Sequence, residues 1–447
     1  MMPRLIVCCA CAAALTLAPT LASAQTAEPE TRAERPSRAL FGSWEGETTQ
    51  SLTASGALST GFDSNVVADA LGTTSPRPSD VNTSNRGQLV NGSAALAYSL
   101  TRDRASLGAN VGTSARYYPS SFGGTIFRRD HGSASGTLQL PLNINANASV
   151  AYRPFNMASL YPMLLAAGET DLGDDFGASS EHYLSWSGGL GTYRQLSRRL
   201  RASADVSYGS RVRSSEAGHF RRYGAGAGLT YSLTRDLNLK AGYHYSEARY
   251  AAQDRRLGSH LIDAGVDFTR SLSISRRTMV SFGTGTTAMT DPGSESGQTR
   301  FRLNGNVALR HEIGRTWSAA LTYGRGLQLS EHWPEPVQSD SVAVSFGGSI
   351  SRRLQFSSGA STSTGRMGLD DRSGGHFDAY QGSATLSYGI SRYVGAGLTY
   401  TTYHHKFDQA RLLAPGFGPW VDRHRVAVQI SVSAPLYQRA RRADATR

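Results

Sequence analysis

Charged side chains in this chain recur on one parity of short alternating segments, the pattern of strands with one face toward water. Residues 302–310 set Arg302, Asn304, Asn306 and Arg310 against Leu303, Val307 and Leu309. Residues 237–246 set Asn238, Lys240, Gly242, His244 and Ser246 against Leu237, Leu239, Ala241, Tyr243 and Tyr245. Asp263, Asp267 and Thr269 oppose Ile262, Ala264, Val266 and Phe268. Arg116, Arg153, Arg201, Asp205 and Arg222 stand on the same charged parity in other segments. Fixed charges along a wall can do two things. They pair across neighbouring strands and stiffen the wall, or they line a water-filled passage and set its electrostatic barrier to ions. Both readings stand at the level of sequence.

Other groups offer less. The connection 154–181 joins an apolar half (Met157, Leu160, Tyr161, Met163, Leu164, Leu165) to an acidic half with Glu169, Asp171, Asp174, Asp175 and Glu181. Asp171-Leu-Gly-Asp-Asp lacks the spacing of a full calcium loop, so no metal is expected there. A solvated loop is the plain alternative. Nine histidines (His131, His182, His219, His260, His332, His376, His404, His405, His424) fall near the ends of segments or in the longer connections. His404-His405 with Asp408 has the makings of a metal or acid–base cluster. Interfacial side chains that tolerate headgroup and water explain these positions more simply. There is no Gly-x-Ser-x-Gly elbow, zinc-type histidine pair or phosphate loop, so neither a catalytic site nor a cofactor is expected.

The elements that position these charges are short and repetitive. Tyr98-Ser-Leu-Thr-Arg-Asp103 returns letter for letter as Tyr231-Ser-Leu-Thr-Arg-Asp236. Looser copies follow at Gln195–Arg199, Ile274–Arg277, Ile350–Arg353 and Ile390–Tyr393. Each lies between two stretches of about ten residues that alternate in polarity, as in a hairpin. The strands run from near Ser51–Phe62 to near Arg425–Tyr437, with eight short turns and nine longer connections between them. That predicts an all-β, transmembrane, antiparallel up-and-down barrel of about 18 strands, even in number and with both termini periplasmic. Residues 341–350 set Val342, Val344, Phe346 and Ile350 against Ser341, Ser345 and Ser349. Aromatics mark both ends of the apolar face: Tyr98, Tyr231, Phe268, Phe346 and Tyr388 before the short turns, and Tyr117, Tyr152, Tyr208, Tyr245, Tyr323 and Tyr400 opposite. Two such belts fit the girdles of a membrane barrel.

Composition agrees. Residues 1–24 read as a signal peptide: Arg4, an apolar run from Leu5 to Leu17, then Ala22-Ser23-Ala24. The run is too short for a spanning helix and is followed by Pro19. All three cysteines (Cys8, Cys9, Cys11) lie within it, so the mature chain from Gln25 has no disulfide and no thiol nucleophile. Residues 25–48 are polar and aperiodic, a flexible periplasmic leader. The barrel is expected over 49–437, with 438–447 as a basic tail. Mean hydropathy is −0.34 and no long apolar run follows the signal, which excludes helical spans. The formal charge is +12, carried almost wholly by arginine, since Lys240 and Lys406 are the lysines. In an exported chain such a balance points to anionic lipopolysaccharide or anionic solutes, not to nucleic acid. Genomic base composition is an equal explanation of the arginine preference.

The signal and leader, the first strand ending Gly61-Phe62-Asp63-Ser64-Asn65-Val66, and the last ending Ser433-Ala-Pro-Leu-Tyr437 together resemble the outer-membrane β-barrel porins, some of which are encoded beside exopolysaccharide export systems. The last strand resembles the segment read by outer-membrane assembly machinery, except that Gln438–Arg447 continues beyond the aromatic. By the same resemblance the loop 154–181 is similar to a porin constriction loop, folding inward with Glu169, Asp171, Asp174 and Asp175 toward the wall arginines. The expectation is a barrel in a Gram-negative outer membrane, in contact with lipid and lipopolysaccharide, passing small hydrophilic solutes with some anion preference. An export conduit for an anionic polysaccharide and a plugged recognition barrel are the alternatives.

Overall fold

In a computed structural model of the chain, strands form wherever the sequence alternates. They are β1 Thr48–Asp63, β2 Gly87–Arg102, β3 Ala105–Tyr117, β4 Ile126–Leu140, β5 Ile144–Pro154, β6 His182–Gln195, β7 Leu200–Arg213, β8 Phe220–Ser232 and β9 Leu237–Tyr250. The second half comprises β10 Arg255–Ser271, β11 Thr278–Thr290, β12 Thr299–Ile313, β13 Trp317–Leu329, β14 Pro336–Ser349, β15 Leu354–Met367, β16 His376–Gly389, β17 Val394–Phe407 and β18 Trp420–Ala440. The structure describes residues 48–440 apart from 66–85, 103, 120–125, 141–142, 155–181, 214–218, 252–254, 272–276, 291–298, 330–335, 368–374 and 409–419. The signal, most of the leader and the end of the basic tail lie outside the described residues. β18 runs past Tyr437 to Ala440, so the start of that tail is strand.

Every strand pairs antiparallel with its sequence neighbours, and β1 pairs with β18 as well as β2, closing an 18-stranded barrel. Closure removes the unpaired edge that a hydrocarbon environment would penalise. The apolar parity faces outward and is bare: Leu303 is 72% exposed, Ile126 64% and Leu58 62%. A band of exposed Leu, Val and Ile around the wall has no place in water and fits lipid. Among the described residues no helix is long and apolar enough to span a membrane; the strands do the crossing.

Four short turns share one hydrogen-bond scheme. Ser197, Thr234, Ser351 and Ser391 each accept with the side-chain hydroxyl from the backbone N–H groups two and three residues on, at 3.1–3.3 Å. A hydroxyl residue at this place caps the turn's backbone donors, which explains why Ser or Thr recurs there. The following arginine is left exposed at the periplasmic rim.

Two sites hold the wall in register. β10 slips against β11 between Ile262 and Asp267, and a Cβ on Gly265 would come within 1.8 Å of the Thr284 carbonyl oxygen. The irregularity therefore needs glycine. At the seam, Arg423 of β18 reaches Asp63 of β1, both buried, with Nε 3.1 and 3.0 Å from the two carboxylate oxygens and a further contact from Nη2. The Asn65 N–H also donates to Asp63 at 3.0 Å, Asn65 Nδ2 donates to the Asp422 carbonyl at 3.0 Å, and the Ser64 N–H donates to the His424 carbonyl at 2.9 Å. The Asp63-Ser64-Asn65 motif thus latches the first strand to the last.

Candidate channel lining

The inward face gathers the charges that alternation had set apart. Arg116 (β3), Arg153 (β5), Arg201 and Asp205 (β7), Arg222 (β8), Lys240 (β9), Asp267 (β10), and Arg302 and Arg310 (β12) all share the lumen parity, opposite the outward Leu, Val and Tyr residues, while the side chain of Asp263 lies outside what the structure describes. Arg302 lies near the outer end of β12 and Arg310 near its periplasmic end.

Pairing across strands occurs where opposite charges meet. Lys240 Nζ lies 3.1 Å from Asp267, and His244 lies 3.6 Å from Asp205. Four further lumen cations escape notice when strands are read one at a time. Arg129 on β4 and Arg423 and Arg425 on β18 are buried, and Arg211 on β7 lies 4.1 Å above the Tyr183 ring. Parity alone would have found the β18 pair, since Arg423 and Arg425 alternate with outward Val426, Val428 and Ile430. Arg116, Arg129, Arg153, Arg211, Arg222, Arg302, Arg423 and Arg425 all lie in the outer half of their strands, so the lumen cations concentrate toward the external mouth.

Burial follows the same axis. On β14, Ser345 is exposed near the periplasm, whereas Ser341, Ser339 and Val337 farther out are buried. On β15 and β16 the change runs from Ser357 and Ser383 to buried Ser361, Ser363 and Gln381, and on β18 from Gln429 to Arg425 and Arg423. Wall side chains alone cannot fill a bore of this many strands, so their burial marks an outer half where the wall is covered, above a more open inner vestibule. Gln381, only 3% exposed, has neither amide atom hydrogen-bonded, and the hydroxyls of Ser339, Ser361 and Ser363 beside it are likewise without partners. Buried polar groups left dry cost about 1–3 kcal/mol each, so water belongs in this arc of the bore.

His404 and His405 do not cluster. Strand alternation sends His404 outward, stacked 4.5 Å from Tyr380 and paired with Asp422, while His405 turns inward between Tyr403 and Phe407. The other outward histidines behave as interfacial groups: His260 bonds to Tyr243 at 2.6 Å, and His424 to Tyr400 at 3.0 Å. Among the described residues no three His, Cys, Asp or Glu are placed to hold a metal ion.

Residues 144–270, from β5 to β10, match the family model described as "Putative beta-barrel porin 2". The match spans 127 of the 447 residues, and the chain as a whole is an outer-membrane β-barrel. A comparison with curated proteins finds no match. Among solved structures, the barrel is similar to Pseudomonas aeruginosa OccK11 (OpdR), at 12% identity and TM-score 0.40, over 88% of this chain and all of that one. It is also similar to P. aeruginosa OccK2 (OpdF), solved in complex with glucuronate, at 10% identity and TM-score 0.44, over 87% and 98% of the two chains. The third is P. aeruginosa OpdQ, at 10% identity and TM-score 0.42, over 87% and 98%. Likeness at this level says nothing of the solute. The loop carboxylates Glu169, Asp171, Asp174 and Asp175 lie outside the described residues.

Proposed function

We propose that the barrel is a passive pore for small hydrophilic solutes that favours anions, and that it carries out no catalysis. The observation that carries this reading is the crowding of lumen arginines into the covered outer half, from β18 through β3, β4, β5, β7 and β8 to β12. Of the lumen acids, Asp63 is matched by Arg423, and Asp205 and Asp267 stand against His244 and Lys240, so the outer half of the wall carries more basic than acidic groups. A narrow, low-dielectric section lined by one sign of charge focuses the field and lowers the barrier for the opposite sign. The wall glycines, serines and asparagines, such as Asn304, Asn306 and Ser345, suit hydrated rather than apolar solutes. Asp171 and its neighbours are proposed to meet these arginines and tune the bore.

Single-channel recording in planar bilayers tests the proposal. A salt gradient across the purified parent protein should give discrete conductance steps and a reversal potential of the anion-selective sign. A cation-selective sign, or bilayers that stay silent, would reject it.

A further inference from the structure

Three arginines stand abreast on the outside of the barrel, above the aromatic belt. Register sets Arg221 of β8 opposite Arg249 of β9, and Arg249 opposite Arg256 of β10. All three have the outward parity and are exposed. Neighbouring strands lie about 4.8 Å apart, so the row spans roughly 10 Å of the barrel's circumference. Like charges directly opposite one another destabilise a sheet, and here two such pairs share a residue.

The strands cannot relieve this by splaying. On the lumen side of the same segment Phe220, Ala248, Tyr250 and Leu257 form a buried cluster, with the Phe220 and Tyr250 rings 5.1 Å apart. Outside, Arg249 lies 5.4 Å from the centre of the Tyr223 ring and pairs with Glu247, which also accepts from the Tyr245 hydroxyl at 3.1 Å. One carboxylate is thus set against three guanidinium groups.

Several other groups on the outward rim are built differently. Arg128 lies 3.0 Å from Asp130, Arg325 3.7 Å from Asp340 and His376 3.4 Å from Asp378, and His404 pairs with Asp422. In each of these pairs a basic side chain sits beside one acid. The row on β8–β10 alone among these groups keeps a positive excess on fixed strands.

Its height identifies what the excess meets. The arginines lie two residues beyond the level of Tyr223 and four beyond that of Tyr245 and His260, or about 7–14 Å farther out along the tilted strands. Aromatic belts sit at the headgroup level, so the row faces the charged part of the outer leaflet. We infer that Arg221, Arg249 and Arg256 form a binding site for the phosphate groups of the outer-leaflet lipopolysaccharide. Guanidinium forks suit phosphate oxygens bidentately, and a phosphate bridging two neighbours turns their repulsion into attraction. The outward, lipid-facing parity favours a lipid-borne phosphate over a free one.

The test uses the folded full barrel in detergent, titrated with purified lipopolysaccharide, with the same lipid after enzymatic removal of its phosphates, and with inorganic phosphate. Thermophoresis reads binding, and heat-modifiable gel mobility confirms that each variant is folded. Removing a charged hydrogen-bond partner costs enough for a loss of about tenfold or more, so Arg221→Gln/Arg256→Gln should weaken lipopolysaccharide binding at least that much. Arg256→Gln alone should lose less. The control Arg325→Gln should bind as the parent does, and the dephosphorylated lipid should not distinguish parent from double variant. Unchanged binding in the double variant, equal loss in the control, or equal parent affinity for both lipids would overturn the assignment. Competition by inorganic phosphate at concentrations equal to the lipid would make this a free-phosphate site and reject the lipid.

Discussion

Asparagine in place of Asp63 keeps the shape of that side chain and removes its charge. In the parent, Arg423 and Asp63 are 1% and 0% exposed, and Arg423 Nε sits 3.1 and 3.0 Å from the two carboxylate oxygens. Arg423 Nη2 also lies 3.5 Å from the Tyr118 hydroxyl, so the guanidinium is held from two sides. Taking away the counter-charge strands a buried cation at the seam between first and last strands. Breaking a buried pair from one side costs about 3–5 kcal/mol, whereas an exposed pair is worth about 0–1 kcal/mol. We therefore expect Asp63→Asn to lose about 3–5 kcal/mol, and Asp63→Leu/Arg423→Met to lose much less, since neither charge then remains buried. Urea unfolding in lipid vesicles, followed by tryptophan fluorescence, measures both, with an unchanged slope as the sign that the transition is the same. A loss under about 1 kcal/mol for Asp63→Asn would show that water screens the pair as at a surface. A double variant as costly as the sum of its single changes would show that the two residues do not act together.

Three other outcomes are expected. Val344→Arg places a charge on the outward face of β14, where Val344 is 48% exposed, and should cost roughly 2–4 kcal/mol in vesicle unfolding if it lies near the midplane. Ser345→Arg, facing the lumen vestibule, should cost far less, and the reverse order would mean that the faces are misassigned. Gly265→Ala drives a methyl into the Thr284 carbonyl and should lower stability by about 1–3 kcal/mol, while Gly92→Ala, with nothing within 4 Å, should be close to neutral. Arg302→Ser, in the outer half of the bore, should move the reversal potential toward cation preference, and Arg310→Ser, roughly 27 Å away along the strand, should change it little. That shift should shrink at high salt, because the Debye length falls to about 3 Å at 1 M.

Much of the architecture is local and was legible from residue order. Period-two alternation assigns each side chain to lipid or lumen, so Leu303 and Arg302 part company whatever the rest of the chain does. The rhythm of short turns and longer connections implies the strand count and the direction of the termini, and Ser or Thr at the turn supplies its own cap. The same alternation would have shown that His404 and His405 face opposite ways. Register and proximity are different in kind. Tyr98–Asp103 and Tyr231–Asp236 are the same six letters, yet Arg102 pairs with Ala105 across a two-residue loop, whereas Ser232 pairs with Asn238 around a longer turn. What differs is downstream: the next outward leucine after the repeat is Leu107 in one case and Leu237 in the other, and each strand slides until its leucines meet lipid. No local pattern links Asp63 to Arg423, 360 residues away, or sets Arg221, Arg249 and Arg256 side by side. Those contacts exist because closure brings the first strand to the last and register aligns neighbours. Both are settled by burial and pairing summed over the whole wall, so the tertiary structure alone decides them.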